Sequence, residues 1–413
     1  MRSKRVWARL LGVEHTVIED ILFDEEADAI VACVRPARGH RRRCGRCGRR
    51  CSGYDQGEGR QRWRSLDLGV VRAYLEADAP RVRCPRHGVV VAALPWARHG
   101  AGSTQAFEDT VAWLVVHTSK TAVAELLRVA WRTVGGIATR VATEAGERVD
   151  RFGGLTRIGI DEISHKKGHR YLTVVVDHDT GRLVWAAPGH DERTLRRFFD
   201  AVGQERCRAI TLVSADAAPW IAKVVAEQAP RATLCLDPFH IVRWATDALD
   251  EVRRETWNAA RRSGQRSLAR ELKGARFALW KNPEHLSVRQ RGKLARVAEV
   301  NHRLYRAYLL KEELRLVFRL RGPRAIALLD AWLAWARRCR IPAFVTLAKA
   351  ITNHRAGIQA TLTHGLSNGL TESVNTKIRL LTRIAFGFKS PDALIALAML
   401  SLGGLCPPLP GRG

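Results

Sequence analysis

Three acidic residues of this 413-residue chain have the types and surroundings that metal-assisted chemistry needs, and the first is Glu372. It lies in the stretch SNGLTESVNTKIRLLTRIAFGF (367–388), where turn formers and Thr371 as an N-cap predict the start of a helix. Asn375 and Arg379 follow at helical spacing, which places the three polar groups on one face. A solvated capping glutamate on a surface helix explains the same pattern, so this stretch alone decides nothing.

The other two acids follow predicted strands. Asp161 ends a predicted strand at 157–161, and Asp216 lies just past a predicted strand at 209–213. Neighbouring central strands would deliver both to one edge of a sheet, where the Glu372 helix packs. Carboxylates held close together repel one another, and a divalent cation is the usual reason to assemble them. Two Mg²⁺ or Mn²⁺ ions could activate a water or a 3′-hydroxyl and stabilise the leaving oxygen, which predicts phosphodiester cleavage and transfer.

The elements that must position these acids follow from hydrophobic periodicity. Further strands are predicted at 170–177, 182–187 and 232–236, with helices at 192–201 and 219–228 and a hairpin turn at HDTG, 178–181. The order β-β-β-α-β-α-β, followed by the Glu372 helix, predicts a mixed sheet with helices on its faces. From about 248 to 360 the chain is helical and basic, without a strand signal.

Two pairs of potential metal ligands near the amino terminus share a two-residue spacing: Cys44 and Cys47, then Cys84 and His87. Tetrahedral Zn²⁺ accepts thiolate and imidazole ligands from two such knuckles, so the spacing predicts a structural zinc site. Cys51 is an alternative fourth ligand. Three apolar residues between the pairs are predicted to form the small core of this module: Trp63, Leu66 and Leu68.

The next segment, 105–144, is predicted to be helical. Helices at 107–116, 121–129 and 132–143, with a tight turn between the last two, predict a helix-turn-helix whose second helix enters the major groove of DNA. The candidate DNA contacts are Arg128, Arg132, Thr133 and Arg140. A three-helix spacer is the alternative, because Gly135 and Gly136 weaken the last helix.

The charge of the chain favours nucleic acid as the partner. Lys and Arg number 69 against 41 Asp and Glu, which leaves a net charge of +28 and a pI near 10.8. The excess is mostly arginine and is spread over every segment, which suits phosphate binding better than a membrane surface. No targeting segment or membrane-spanning run is recognisable, so we expect a cytoplasmic protein that stays with the chromosome.

Four ordered blocks resemble the ISL-three family of bacterial insertion-sequence transposases: GIDEISHKKGHRYLTVVVD around Asp161, VSAD at Asp216, LDPFHIVR around Asp237 and SNGLTESVNTKIRLL around Glu372. The resemblance extends over nearly the whole chain. It implies a DDE catalytic motif in an RNase H-like fold, a zinc-ribbon-like amino-terminal module and a long helical insertion before the last acid. By position, Asp161, Asp216 and Glu372 become the metal-binding triad.

The resemblance also implies roles for residues near the triad. Asn375, Lys377 and Arg379 would line the DNA path. Asp237 and His240 would lie behind the active site, although a helix cap and a core imidazole explain them equally. The basic residues after the first strand include Lys166 and Lys167, which would grip phosphates or belong to a solvated turn. The family commonly has cysteine as its last zinc ligand, so His87 and Cys51 both stay open.

The predicted organisation is therefore multidomain. Its predicted boundaries are 1–100 for a β-hairpin and zinc module, 101–150 for the helix-turn-helix, 151–247 for the first part of an RNase H-like core, 248–365 for a helical insertion, 366–405 for the last core helices and 406–413 for a tail. The predicted function is DDE transposition: a dimer or larger assembly binds terminal inverted repeats and target DNA, exposes 3′-hydroxyl ends and transfers them. A catalytically silent DNA-binding regulator and a nuclease that cuts without joining are the alternatives.

Overall fold

The computed structural model describes residues 2–166 and 168–412 of the chain. Those residues divide into two compact units, the first comprising Met1–Arg151 with Ile378–Gly413 and the second comprising Phe152–Lys377. In the described part of the chain, no helix is both long enough and apolar enough to cross a lipid bilayer.

The amino-terminal part of the first unit consists mainly of two sheets in which most strand pairs are antiparallel. Its elements are α1 (Arg2–Leu10), β1 (Thr16–Asp24), β2 (Ala29–Pro36), β3 (Ser52–Asp55), β4 (Arg60–Leu68), β5 (Val71–Asp78), β6 (Arg81–Cys84) and β7 (Gly88–Val91). One sheet has the order β1-β2-β5-β4 and the other the order β3-β6-β7. The β-hairpin predicted within the amino-terminal module is present as the antiparallel pair β1 and β2, whereas β4 and β5 were not predicted.

The predicted role of Trp63 as the core of the zinc module is wrong. Trp63 is on β4 and packs in the core of the four-stranded sheet, among residues such as Leu75 and Trp96. Leu66 and Leu68 are only partly buried. The error arose because β4 and β5 lie between the two ligand pairs in sequence but belong to a different sheet.

Three helices follow, as predicted: α2 (Gln105–His117), α3 (Lys120–Leu126) and α4 (Trp131–Arg148). The side chains of Thr104 and Ser119 cap α2 and α3 by accepting backbone N–H bonds. Gly135 and Gly136 do not interrupt α4, because buried apolar side chains on both sides of the two glycines stabilise the helix. These side chains are Val134, Ile137, Ala138 and Val141.

The second unit contains a five-stranded mixed sheet. Its elements are β8 (Arg157–Lys166), β9 (Arg170–Asp177), β10 (Leu183–Pro188), α5 (Glu192–Val202), α6 (Gln204–Cys207), β11 (Leu212–Ala215), α7 (Pro219–Gln228) and β12 (Thr233–Leu236). The strand order is β10-β9-β8-β11-β12, antiparallel from β10 to β8 and parallel from β8 to β12. This confirms the predicted mixed sheet and the hairpin turn between its second and third strands.

Two strand boundaries differ from the prediction. β8 continues to Lys166, so Asp161 lies within the strand and does not end it. The continuation is stabilised by antiparallel pairing with β9, and Ile163 is buried. β11 begins at Leu212 and ends at Ala215, which leaves Asp216 directly after the strand, as predicted.

The rest of the chain is helical. The helices are α8 (Pro238–Arg262), α9 (Arg266–Gly274), α10 (Arg276–Trp280), α11 (Val288–Val300), α12 (His302–Val317), α13 (Gly322–Arg338), α14 (Pro342–Asn353), α15 (Arg355–His364), α16 (Gly369–Ile384) and α17 (Pro391–Leu402). Helices α8 to α15 form a core of their own around residues such as Trp332 and Phe344. The predicted N-cap of α16 is wrong, since the helix starts at Gly369 and Thr371 is buried in its first turn.

Candidate functional site

Asp161 is held from two sides in the middle of β8. Its Oδ1 accepts the backbone N–H of Glu162 at 2.7 Å, and its Oδ2 accepts the side-chain amide of Asn375 at 2.7 Å. Asn375 is on α16 and only 1 % exposed. The helix that carries Glu372 is therefore hydrogen-bonded to the strand that carries Asp161.

Asp216 lies beside a histidine that it shares with a second acid. His240 Nδ1 is 2.9 Å from Asp216 Oδ1 and 3.0 Å from Asp237 Oδ2. Only the approach to Asp237 has hydrogen-bond geometry. Asp216 Oδ1 is buried without an aligned donor, and the imidazole of His240 is the cationic group beside it. The carboxylate of Asp237 also caps α8, as the sequence predicted.

Asp161, Asp216 and Glu372 act on one another electrostatically. Burial, together with the charges of Asp216 and Glu372, raises the pKa of Asp161 to about 6, against the lowering effects of the Glu162 N–H and of His240. Burial and the neighbouring Asp216 and Asp161 likewise raise the pKa of Glu162 to about 7. Such shifts mark carboxylates that have lost water and gained like-charged neighbours. Asp216, Glu372 and Glu162 therefore lie within electrostatic range of Asp161.

His240 is the cation that balances this group. The close ion pair with Asp216 and then the hydrogen bond to Asp237 raise the pKa of His240 to about 10, so its imidazole is protonated at neutral pH. Within the described residues, Asp216, Asp237 and His240 form one of two groups whose possible ligand atoms all lie within 4.8 Å of one another. Asp161 and Glu372 do not belong to that closer group.

The first turn of α16 lies directly on the backbone of β8. A Cβ added to Gly159 would come 2.2 Å from Thr371 Oγ1 and 2.8 Å from His178 Nε2. Only glycine leaves room for this approach. Gly159 is therefore needed where the helix that carries Glu372 meets the sheet.

The second close group contains the four predicted zinc ligands: Cys44, Cys47, Cys84 and His87. Cys47 Sγ lies 3.8 Å from Cys84 Sγ, and His87 Nδ1 lies 3.5 Å from Cys44 Sγ and 3.6 Å from Cys84 Sγ. Thiolates around a tetrahedral zinc with Zn–S of about 2.3 Å lie about 3.8 Å apart. The donor set and spacing therefore fit Zn²⁺.

Cys51, the alternative fourth ligand, is not one of that close group. Its Sγ donates to the carbonyl of Arg49 at 3.3 Å. The geometry therefore favours His87 over Cys51 as the fourth ligand.

Six of the predicted DNA contacts are exposed: Arg128, Arg132, Thr133, Lys166, Lys377 and Arg379. Lys167 lies outside the described residues. Three of the predicted contacts have protein partners: the exposed Arg128 with Asp67, Arg140 with the fully buried Glu108, and Asn375 with Asp161. The buried Asn375 differs most from its prediction, because its amide faces the acid and not the solvent.

Comparison with known proteins agrees with this arrangement of modules. Residues 40–87 match a zinc-finger model of the transposases of IS204, IS1001, IS1096 and IS1165, and residues 92–142 match the helix-turn-helix domain of transposase family ISL3. Residues 158–398, more than half of the chain, match the ISL3 transposase model. A zinc ribbon, a DNA-binding helix-turn-helix and a transposase domain thus follow one another along the chain.

The chain belongs to the ISL3 family of insertion-sequence transposases. It is 61 % identical to the transposase of IS1557 from two strains of Mycobacterium tuberculosis, over 100 % of this chain and 98 % of the relative. It is 27 % identical to the transposase of IS1001 from Bordetella parapertussis, over 84 % of this chain and 86 % of the relative. The predicted family is confirmed.

Proposed function

We propose that this transposase uses a DDE active site formed by Asp161, Asp216 and Glu372. The observation that carries the proposal is the hydrogen bond from Asn375 to Asp161, which joins the helix of Glu372 to strand β8, the neighbour of the β11 strand that Asp216 follows. Burial raises the pKa of Asp161, and the charges of Asp216 and Glu372 add to that effect. The strand order β10-β9-β8-β11-β12, with its antiparallel first three strands, supports an RNase H-like core. On this interpretation α8 to α15 are a helical insertion between the last strand and α16, and the predicted domain boundaries are retained.

The three acids would bind two Mg²⁺ or Mn²⁺ ions. The fit rests on the all-oxygen donor set and on Asp216 Oδ1, a buried carboxylate oxygen without an aligned donor. When bound, such ions supply Lewis-acid stabilisation of the attacking and leaving oxygens of a phosphodiester.

The protein itself contributes orientation and charge. Asn375 donates to Oδ2 of Asp161 and fixes the direction of that carboxylate. His240 places a positive charge between Asp216 and Asp237, which lowers the cost of keeping several acids together. The active site thus has one carboxylate fixed by an amide and one balanced by an imidazolium.

The reaction would begin at the terminal inverted repeats of the element. Hydrolysis would expose a 3′-hydroxyl at each end, and that hydroxyl would then attack a phosphodiester of the target DNA. Arg132 and Thr133 would contact DNA in a major groove, which their exposure at the start of α4 supports. Two paired ends call for at least a dimer, acting on the chromosome in the cytoplasm.

Single substitutions of the acids test this site. We expect Asp161→Asn, Asp216→Asn and Glu372→Gln each to abolish metal-dependent nicking of a plasmid that carries the flanks of the gene, while binding of the same DNA stays within about twofold, because these carboxylates act on chemistry and not on duplex affinity. Nicking on gels and binding by fluorescence anisotropy measure the two effects.

The matched control is Asp247→Asn, which removes an exposed acid of α8 whose closest cation is 4.0 Å away. It should nick at the wild-type rate. A triad variant with wild-type nicking would contradict the assignment. Specific binding without nicking by the wild-type protein would favour a regulator.

A further inference from the structure

Asn368 lies where the strands that carry two of the acids separate. The parallel pairing of β8 with β11 ends at the pair Gly159 and Ser214, although β11 continues beside β12 for one more residue. The next carbonyl of β8, that of Ile160, therefore has no partner from β11. The separated strand ends leave a gap in the sheet beside Asp161 and Asp216.

The side chain of Asn368 fills this gap and is 1 % exposed. Its Nδ2 donates to the Ile160 carbonyl at 3.3 Å, and its Oδ1 accepts the hydroxyl of Ser214 at 2.6 Å. One amide thus replaces the ladder hydrogen bonds that the two strands no longer make with each other. Ile160 directly precedes Asp161, and Ser214 is two residues before Asp216.

The main chain of Asn368 makes the other two connections. Its N–H donates to Asp237 Oδ1 at 3.1 Å, and its carbonyl accepts the N–H of Glu372 at 2.7 Å. Asp237 in turn accepts from the imidazole of His240, which lies beside Asp216. Asn368 therefore makes four hydrogen bonds at the site. Three go to Glu372 or to a residue within two positions of Asp161 or Asp216, and the fourth goes to Asp237.

We propose that Asn368 is the positioning residue of the active site: it sets the separation of the strands that carry Asp161 and Asp216 and fixes where Glu372 joins them. This inference rests on the proposed DDE function. Asn368 touches neither DNA nor metal in this role. Its effect passes through the three acids, so it should appear in how well the acids bind a divalent ion.

The test compares Mn²⁺ binding with stability in the full-length protein. Asn368→Ala removes both side-chain bonds and should weaken Mn²⁺ binding, measured by the electron paramagnetic resonance of free Mn²⁺, by about tenfold to a hundredfold, as loss of a residue that orients metal ligands does. Nicking should need correspondingly more Mn²⁺ and recover in part at high concentration. DNA affinity should not change.

Two further variants separate positioning from folding. Ser214→Ala leaves Asn368 in place and removes one of its bonds, together with the hydrogen bond between the Ser214 hydroxyl and His178 Nε2. It should shift Mn²⁺ binding in the same direction by a smaller factor, and it decides the matter if Asn368→Ala does not fold. Asn301→Ala is the matched control, because it also removes a hydrogen bond of an asparagine side chain, the one that Asn301 Oδ1 accepts from the backbone N–H of Leu304 at the start of α12. It should lower Tm and leave Mn²⁺ binding unchanged.

The outcomes distinguish this inference from the function on which it rests. Wild-type Mn²⁺ affinity in both Asn368→Ala and Ser214→Ala, in a protein whose nicking is lost in Glu372→Gln, would overturn the role of Asn368 and leave the active site intact. A wild-type protein that neither nicks nor binds Mn²⁺ more tightly than Glu372→Gln would overturn both.

Discussion

The buried charge of Lys311 has one partner that is distant in sequence and one that is adjacent to it. Lys311 on α12 is 1 % exposed, and its Nζ donates to the carbonyl of Leu279 at 3.0 Å and pairs with Glu312. Glu312 also pairs with Arg315 at 2.8 Å. Burial lowers the pKa of Lys311, while the pairing with Glu312 opposes that effect. The ammonium therefore depends on its partners to stay inside the helical core.

Replacing this ammonium should be costly for stability. We expect Lys311→Ala to lower the free energy of unfolding by about 3 kcal/mol, because it leaves a buried carbonyl and a buried carboxylate with fewer partners. Urea unfolding followed by circular dichroism gives the value. The control is Lys349→Ala, at an exposed lysine of α14, which should change the free energy by less than about 0.5 kcal/mol. Equal effects of the two substitutions would show that the buried pair contributes nothing.

Residue types in the sequence predicted the three acids but could not indicate what fixes them. Asp161 and Asp216 follow from their positions relative to strands. Asn368 was interpreted as a turn former, because its hydrogen bonds to Ile160, Ser214 and Asp237 all cross more than 100 residues of chain. Asn375 was placed with its exposed neighbours for the same reason. Local spacing defines a helical face but not which face another element covers.

At the scale of elements, the strands and helices of the second unit could be predicted from the sequence, whereas the assignment of the amino-terminal strands to two sheets could not. The five strands of the second unit were found from their periodicity, since each is a short apolar run between turn formers. The amino-terminal sheets were mostly missed. The short strands β3, β6 and β7 form one sheet. In the sequence, β3 is separated from β6 by β4 and β5, which belong to the other sheet.

The zinc module depends on its ligands more than on a core. Strand β3 has no buried residue, and β6 has two, one of which is the ligand Cys84. We expect Cys44→Ser and His87→Ala each to lose about one zinc per chain and to weaken DNA binding, because such a module folds with its metal. Zinc released to a chromogenic chelator, and anisotropy of labelled DNA, measure the two effects.

Cys51→Ser is the matched control for the zinc prediction. It removes a neighbouring thiol that donates to a backbone carbonyl, so it should retain both zinc and DNA affinity. Zinc lost from Cys51→Ser and kept by His87→Ala would reverse the assignment of the fourth ligand. Absence of zinc from the wild-type protein would show that the predicted zinc site is wrong.

At the scale of the whole molecule, the positive net charge and the order of the modules both favour DNA as the partner. A net charge of +28 suits a protein with a DNA-binding domain and a transposase domain. Three family models cover the zinc ribbon, the helix-turn-helix and the transposase domain in that order. On the proposed function, DNA recognition and chemistry belong to different segments, so we expect a variant of an acid to keep its affinity for DNA.

The most direct test of the account is strand joining by the purified protein. DNA from the flanks of its gene, labelled at one strand, is incubated with Mg²⁺ and a target plasmid, and nicked and joined products are scored for the wild-type protein and for Glu372→Gln. We predict that the wild-type protein nicks the DNA at the repeat boundary and produces labelled, joined plasmid. Glu372→Gln should produce neither. Nicks without joined product would contradict transposition and identify a nuclease, and joining by Glu372→Gln would contradict the role of that acid.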